Sequence, residues 1–299
     1  MKKLILILIL LCSVNFMDAQ TSGGFPKEKS AIVMVHFGTT YDDTRSVTID
    51  AINDKVATTF PGVKVIEAYT SRIIISRLAK RGIKKLTPQE ALLQLAADGY
   101  KYVVIQSTNV IDGIEAEVLR KEAALMAPFF DELRVGKPLL YSIDDCQKVV
   151  AALQRRYEGS LGKNSGAVFI GHGTSTPANA IYSQIDYMFS VDGTPHFHTA
   201  TVEGYPTYET TLRKLKEERV GRVTLVPFMF VAGDHARNDI DGEWRELLEK
   251  EGFQVTVVIE GLGQLPAIQD LYIDHLKAAW NASVLDATSQ KANYIKENI

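Results

Sequence analysis

The sequence has almost no cysteine. Cys12 and Cys146 are the only two, and Cys12 lies in an N-terminal stretch expected to be removed. No internal disulfide can then staple the mature chain, so a packed core must hold it, and 299 residues are enough to bury one. An excess of one charge is also missing. The 33 Lys and Arg are mixed with 36 Asp and Glu, which argues against nucleic acid or an acidic membrane surface as partner. The apolar run from Leu4 to Leu11 falls well short of the ~20 residues a membrane span needs. There is no HExxH, no Gly-x-Ser-x-Gly elbow, no dinucleotide fingerprint and no P-loop. Zinc peptidases of that type, α/β-hydrolases and nucleotide-dependent enzymes lose their usual signatures. "HGTS" at 172–175 is compatible with an esterase oxyanion loop, but no nucleophile elbow accompanies it.

The N-terminus has the pattern of a secretory signal peptide: Lys2 and Lys3, the apolar run, then Met17-Asp18-Ala19 before Gln20. Residues 1–19 are therefore expected to be cleaved, giving a periplasmic product. Leu11 is large where a lipobox wants a small residue before its cysteine, which disfavours a lipoprotein. Residues 281–299 read as a polar tail.

Short runs rich in Val and Ile alternate with amphipathic stretches along the chain. Strands are predicted at 31–35, 63–68, 102–106, 167–170, 199–202, 223–227 and 255–259. Helices are predicted at 46–59, 88–97, 208–218 and 242–251, among others. The alternation predicts an α/β protein built of βαβ units with parallel sheets. The two halves echo each other. "AIVMVHFGTT" (31–40) matches "AVFIGHGTST" (167–176), and "VIEAYTSRIIISRL" (65–78) matches "TVEGYPTYETTLRKL" (201–215). His36 precedes Glu67 by the same spacing as His172 precedes Glu203, and more weakly Glu115 corresponds to His235. This reads as internal duplication, with an N-terminal half at 28–145 and a C-terminal half at 163–280. The boundary lies between Tyr141 and Lys163, near the linker-like "GSLGKNSG".

Ligands of open parallel sheets bind beyond the carboxyl ends of the strands. His172, Glu203 and His235 each follow a predicted strand of the second half. Two imidazoles and a carboxylate suit a borderline divalent ion such as Co²⁺, Fe²⁺, Ni²⁺ or Zn²⁺. Each taken alone has a plainer reading: a neutral ring bonded to a carbonyl, or a carboxylate near a helix start. Their conjunction at three strand ends favours a metal site. His36, Glu67 and Glu115 form a secondary set expected to face the same cleft and handle protons. His196 and His198 read as surface or supporting residues in a loop entering a strand, and His275 as structural on a C-terminal amphipathic helix. "PFMFV" (227–231) is core or the wall of a flat apolar ligand.

"GHGTS", "VEGYP", "PFMFVAGDHARND" and "GLGQLPAI", in this order, resemble the anaerobic cobalt chelatases of the CbiK type. The similarity runs from about Ala31 to Trp280. The resemblance implies a duplicated α/β chelatase fold and insertion of Co²⁺ into sirohydrochlorin, a cobalamin precursor. It implies metal binding by His172, Glu203 and His235, with no cofactor beyond the metal that is itself the substrate. Partners would be the tetrapyrrole and the divalent ion, and a homo-oligomer is left open. The chain departs from the family at two places. His36 stands where the first motif usually has Ser, and Asn109 where a histidine is common. Export is a third oddity, and it leaves an exported tetrapyrrole- or metal-binding protein without turnover as the alternative.

Overall fold

The computed structural model describes residues 25–26, 28–191, 196–282 and 295–296. The expected signal peptide and most of the expected C-terminal tail lie outside them. The chain forms two parallel four-stranded sheets of identical order. The first runs β2-β1-β3-β4, from β1 (Ser30–His36), β2 (Lys64–Tyr69), β3 (Tyr102–Ser107) and β4 (Glu132–Val135). The second runs β6-β5-β7-β8, from β5 (Ser165–Gly171), β6 (Phe197–Thr201), β7 (Arg222–Pro227) and β8 (Gln254–Val257). The helices are α1 (Asp42–Arg45), α2 (Ala51–Thr59), α3 (Arg72–Ala79), α4 (Pro88–Ala97), α5 (Ile114–Met126) and α6 (Ile143–Tyr157) in the first part of the chain. There follow α7 (Ala180–Val191), α8 (Tyr208–Glu217), α9 (Arg245–Lys250) and α10 (Pro266–Asn281). π-helical turns at Ser46–Asp50 and Ala236–Trp244 lead into α2 and α9.

Side chains alternate across each strand and so feed separate cores. In β1, Ile32 and Met34 enter a central core shared by both halves, while Ala31, Val33 and Val35 pack outward with α4 and α5. In β5, Ala167 and Phe169 enter the same central core, while Val168 and Ile170 face outward with Leu215, Trp244 and Leu248. Both faces being buried explains why these strands read as unbroken apolar runs. β4 has no such signal. It is a short edge strand, "ELRV", half exposed throughout.

The last helix of each half crosses to the other. α6 leans on α7, and its Tyr157 ring meets Phe169 of β5 at 5.5 Å. α10 returns to β3 and β4, where Tyr272 Oη donates to the Thr108 carbonyl at 3.0 Å. His275 on α10 bonds Asp145 of α6 at 3.0 Å, which fits its expected structural role. These crossings stitch the sheets into one body. The predicted helix at 242–251 begins earlier, because the wide π-helical turn starts directly after His235.

Candidate active site

The loops after β1, β3, β5 and β7 all line one cavity of about 810 Å³ between the halves. That is a volume for a sizeable organic ligand, near the upper part of the usual range of about 300–1,000 Å³. In each sheet the chain leaves the first strand to one side and returns on the other, so the cavity sits at two facing switch points.

Hydrogen bonds fix which residues correspond. Ser71 N–H donates to the Phe37 carbonyl at 3.2 Å, and Glu203 N–H donates to the His172 carbonyl at 2.8 Å. Gly38 and Gly173 both take positive φ, at 101° and 89°. Thus His172 answers to Phe37, and Glu203 to Ser71. Glu115 at the start of α5 answers to His235 at the start of the second π-helical turn, and both line the cavity. The sequence echo that paired His36 with His172 is one residue out of register. A one-residue shift on a strand reverses the face on which a side chain lies. His36 is the last residue of β1 and shares a face with Ile32 and Met34. Its counterpart is Gly171, where a side chain would collide with the Tyr182 ring.

The Glu67–Glu203 match fails as well. β2 reaches α3 through Thr70 and Ser71 alone, whereas β6 reaches α8 through 202–207, and Glu203 lies in that longer turn. Glu67 sits within β2 instead. It is paired with Lys85, accepts from Asn53 Nδ2 at 2.9 Å, and is absent from the cavity wall. Of the secondary set expected in the cleft, His36 and Glu115 reach it and Glu67 does not.

His172 and His235 come together, their ring centroids 4.6 Å apart and their planes at 84°. His172 Nδ1 lies 3.2 Å from the Gly173 carbonyl, and His235 Nδ1 lies 2.6 Å from Asp239 Oδ2. A carbonyl or carboxylate can only accept, so Nδ1 is the donor in each ring, and in the neutral ring Nε2 is the nitrogen left with a lone pair. Asp239 thereby fixes the tautomer and orientation of His235, as carboxylates behind metal-binding histidines do. Sequence reading passed over it, although the i,i+4 spacing in "HARND" was the available signal. Glu203 shares the cavity through its backbone tie to His172. Its carbonyl packs where a side chain on Gly173 would stand. Among the described residues, however, no three His, Cys, Asp or Glu side chains are already drawn together as a closed metal site. The geometry is an imidazole pair with a carboxylate in the same cavity.

Much of the lining is apolar: Phe37, Ile73 and Ile114 of the facing first half are exposed within it, and Phe228, Met229, Phe230 and Val231 follow β7 in the second, while Glu115 and Arg77 put charge on the facing wall. His36 lies at the edge of this wall but is buried. Its Nε2 meets Asn53 Oδ1 at 3.1 Å and its Nδ1 meets Thr108 Oγ1 at 3.0 Å. Burial pushes its pKa down to about 4, and the nearby Glu67 carboxylate only partly offsets that. Both nitrogens are occupied, so His36 is a neutral structural ring rather than a proton acceptor. It lies against Phe230 with centroids 6.0 Å apart. His196 and His198 sit at the opposite end of β6, both bonded to Glu218 at 2.6 and 3.0 Å. His198 is buried within the strand rather than in the loop before it.

The family model for cobalt chelatase (CbiK) matches residues 30–281. Sirohydrochlorin cobaltochelatase of Salmonella typhimurium is 39% identical over 264 residues, covering 87% of this chain and 99% of that protein. Sirohydrochlorin cobaltochelatase CbiKC of Nitratidesulfovibrio vulgaris is 32% identical, covering 86% of this chain and 93% of that protein. Among solved structures, SirB from Bacillus subtilis with Fe³⁺ superposes with a TM-score of 0.62 at 15% identity, over 88% of this chain and 97% of that one. At that identity the likeness speaks for the chelatase fold.

Proposed function

This chain belongs to the CbiK cobalt chelatase family, and from that premise we propose that it is a sirohydrochlorin cobaltochelatase whose working site is His172, Glu203 and His235. The observation that carries the site assignment is the imidazole pair: two histidine rings in contact on one wall of a cavity whose other wall exposes Phe37, Ile73 and Ile114.

Insertion exchanges two pyrrole protons for one dication. The ion must be held firmly enough to lose water and loosely enough to leave. Two neutral imidazoles aimed from one side meet that need, since they leave coordination positions open for the ring nitrogens. Glu203 completes the ligand set and accepts one pyrrole proton as the ion departs. Glu115, at the matching place on the other wall, is suited to accept the second. Phe37, Ile73 and Ile114 offer the macrocycle an apolar face to lie against, which holds its plane across the ion's path. Burying that face stabilises the complex by roughly 25 cal/mol per Å². No resident cofactor is required, because Co²⁺ is the cargo. Residues 1–19 act as a signal peptide in this reading, and the mature enzyme works in the periplasm.

Two measurements test it. Purified mature protein, at a hundredth of the tetrapyrrole concentration, is mixed with sirohydrochlorin and Co²⁺ and followed by absorbance. Complete conversion supports insertion, whereas a change that stops at one equivalent of protein identifies a binding protein instead. N-terminal sequencing of the exported product is expected to begin near Gln20, and an intact Met1 or a lipidated Cys12 excludes the export reading.

A further inference from the structure

Among the described residues, the cavity lining holds three carboxylates, Glu115, Glu203 and Asp234, three histidines, and one permanently charged cation, Arg77 of α3. Sirohydrochlorin carries carboxylate arms around its ring. An acid-lined cavity repels such a ligand unless a cation receives at least one arm. Arg77 is not free to do so in this state. Its guanidinium bonds Asp234 Oδ2 across the cleft at 2.7 Å. Asp234 Oδ1 meanwhile accepts from Tyr41 Oη at 2.9 Å. Arg77 and Asp234 are 54% and 44% exposed, so the pair stands at the mouth rather than in the core. Such a half-solvated pair is weak and readily exchanged. A guanidinium fork also matches a carboxylate from a ligand as well as one from the protein.

We propose that Arg77 is a specificity residue for the tetrapyrrole: a carboxylate arm of the ring displaces Asp234 and takes its place on the guanidinium. This rests on the chelatase reading given above. Asp234 is then the internal stand-in for the substrate arm. It occupies the arginine while the cavity is empty and is left on Tyr41 Oη when the ring enters. The residue next to Asp234 is His235, so the exchange releases one of the two side-chain ties that Asp234 itself makes to the first half. Tyr41 keeps the other. The loop stays in place while the cavity gains a cation aimed at the ligand.

A merely structural ion pair and an exchanging one make opposite predictions for the two partners. If the bridge only holds the halves together, Arg77→Gln and Asp234→Asn weaken the site alike. If the substrate competes with Asp234, Arg77→Gln weakens tetrapyrrole binding and Asp234→Asn strengthens it. The asparagine keeps an oxygen for Tyr41, so the loop retains its second tie. The experiment titrates sirohydrochlorin into the metal-free full-length mature protein and reads quenching of its own fluorescence, with turnover measured separately. Arg77→Gln is expected to raise Kd and KM by roughly tenfold, the worth of one partly solvated charge-assisted bond, with kcat near that of the parent. Arg77→Lys should recover part of the loss. Asp234→Asn is expected to lower Kd severalfold, and raised salt should shrink both effects. Equal weakening by both variants, or an unchanged Kd in Arg77→Gln, overturns the proposal. A parent protein that binds sirohydrochlorin but never inserts Co²⁺ overturns the chelatase reading and leaves the anchor standing. A parent that does not bind the tetrapyrrole overturns both.

Discussion

The two halves share a sheet order and a cavity, yet they put different chemistry at matching places. The second half offers His172, Glu203 and His235; the first offers Phe37, Ser71 and Glu115. One side can hold a borderline ion, and the other can hold the flat face of a ring. A symmetric pair of metal sites would compete for the ion on both sides of the macrocycle. An asymmetric pair gives the ion one direction of travel. The difference teaches that duplication supplied the walls, and that single side chains at the strand ends assigned their roles.

The sharpest way to break this comparison is to exchange the chemistry of the two walls. His172→Ala or His235→Ala is expected to lower cobalt insertion by more than about a hundredfold, since even outer partners of metal ligands cost up to that much. Phe37→Ala should cost far less and act mainly on KM, as expected for lost apolar binding. The pair Phe37→His with Glu115→His gives the first half its own imidazoles. Isothermal titration with Co²⁺ should then find two binding events in place of one. If Phe37→Ala is dead while His172→Ala turns over, the working wall has been placed on the wrong half.

A second contrast lies in the buried histidines. His36, in the first half, is held neutral by burial, with its pKa lowered from 6.5 to about 4. A depressed histidine binds its proton in the unfolded chain before it does so in the folded one. Its contribution is therefore intact above pH 6.5 and is lost as pH falls toward 4. The full difference is worth about 3 kcal/mol. Urea denaturation at pH steps across that window should show this acid limb. His36→Gln should flatten the slope, whatever it does to the plateau. A slope that survives the substitution means that other groups carry it.

Much of this was legible in the sequence, and the failures have physical causes. Strands buried on both faces announce themselves as Val- and Ile-rich runs, so β1, β3, β5 and β7 were placed to within a residue or two. β4 pairs on one side only and is half exposed, so "ELRV" carried no apolar signal. The equal His–Glu spacing misled because counting residues ignores which face of a strand each one occupies. His36 is buried on the central-core face and only borders the cavity, whereas His172, one register step on, stands exposed in it. Phe37 escaped notice because its role follows from what stands opposite it. Asp239 escaped because its i,i+4 spacing from His235 means contact only once a helix is known to run through both, and the helix was expected to begin at 242. That tie is the next test in size. Asp239→Asn keeps the shape and removes the charge behind His235. Cobalt affinity should fall by about tenfold to a hundredfold, with the fold and tetrapyrrole binding unchanged. Affinity equal to the parent's would show that His235 needs no partner to present its Nε2.

The smallest expected effect sharpens the comparison of the halves at alkaline pH. His198 lies in β6, far from the cavity, and Asp186 and Glu218 flank it. Burial alone would lower its pKa, but its bonds to those two carboxylates outweigh burial and raise it. Lys214 also pairs with Asp186, so the histidine is one of two cations on that acid. A raised histidine contributes fully below its unfolded value of about 6.5 and loses that contribution as pH rises through its folded value. Asp186 is buried and Glu218 is not, and although desolvation works against both, their bonds to His198, with Lys214 and His196 beside them, hold both below the usual carboxylate range. Their contributions persist until pH falls below about 4. At mildly alkaline pH the second half should therefore weaken slightly through His198, below the range in which the Tyr69 phenol and the Cys146 thiol, both raised by burial, add losses of their own. The expected profile climbs from pH 4 to 6.5 through His36, levels, and then declines gently through His198. His198→Gln should remove only the alkaline decline, and His36→Gln only the acid climb. The two histidines belong to different halves and share no partner, so the effects should add in the double variant. A double variant that departs from the sum would mean that the central core couples the two sheets more tightly than their separate hydrogen bonds imply.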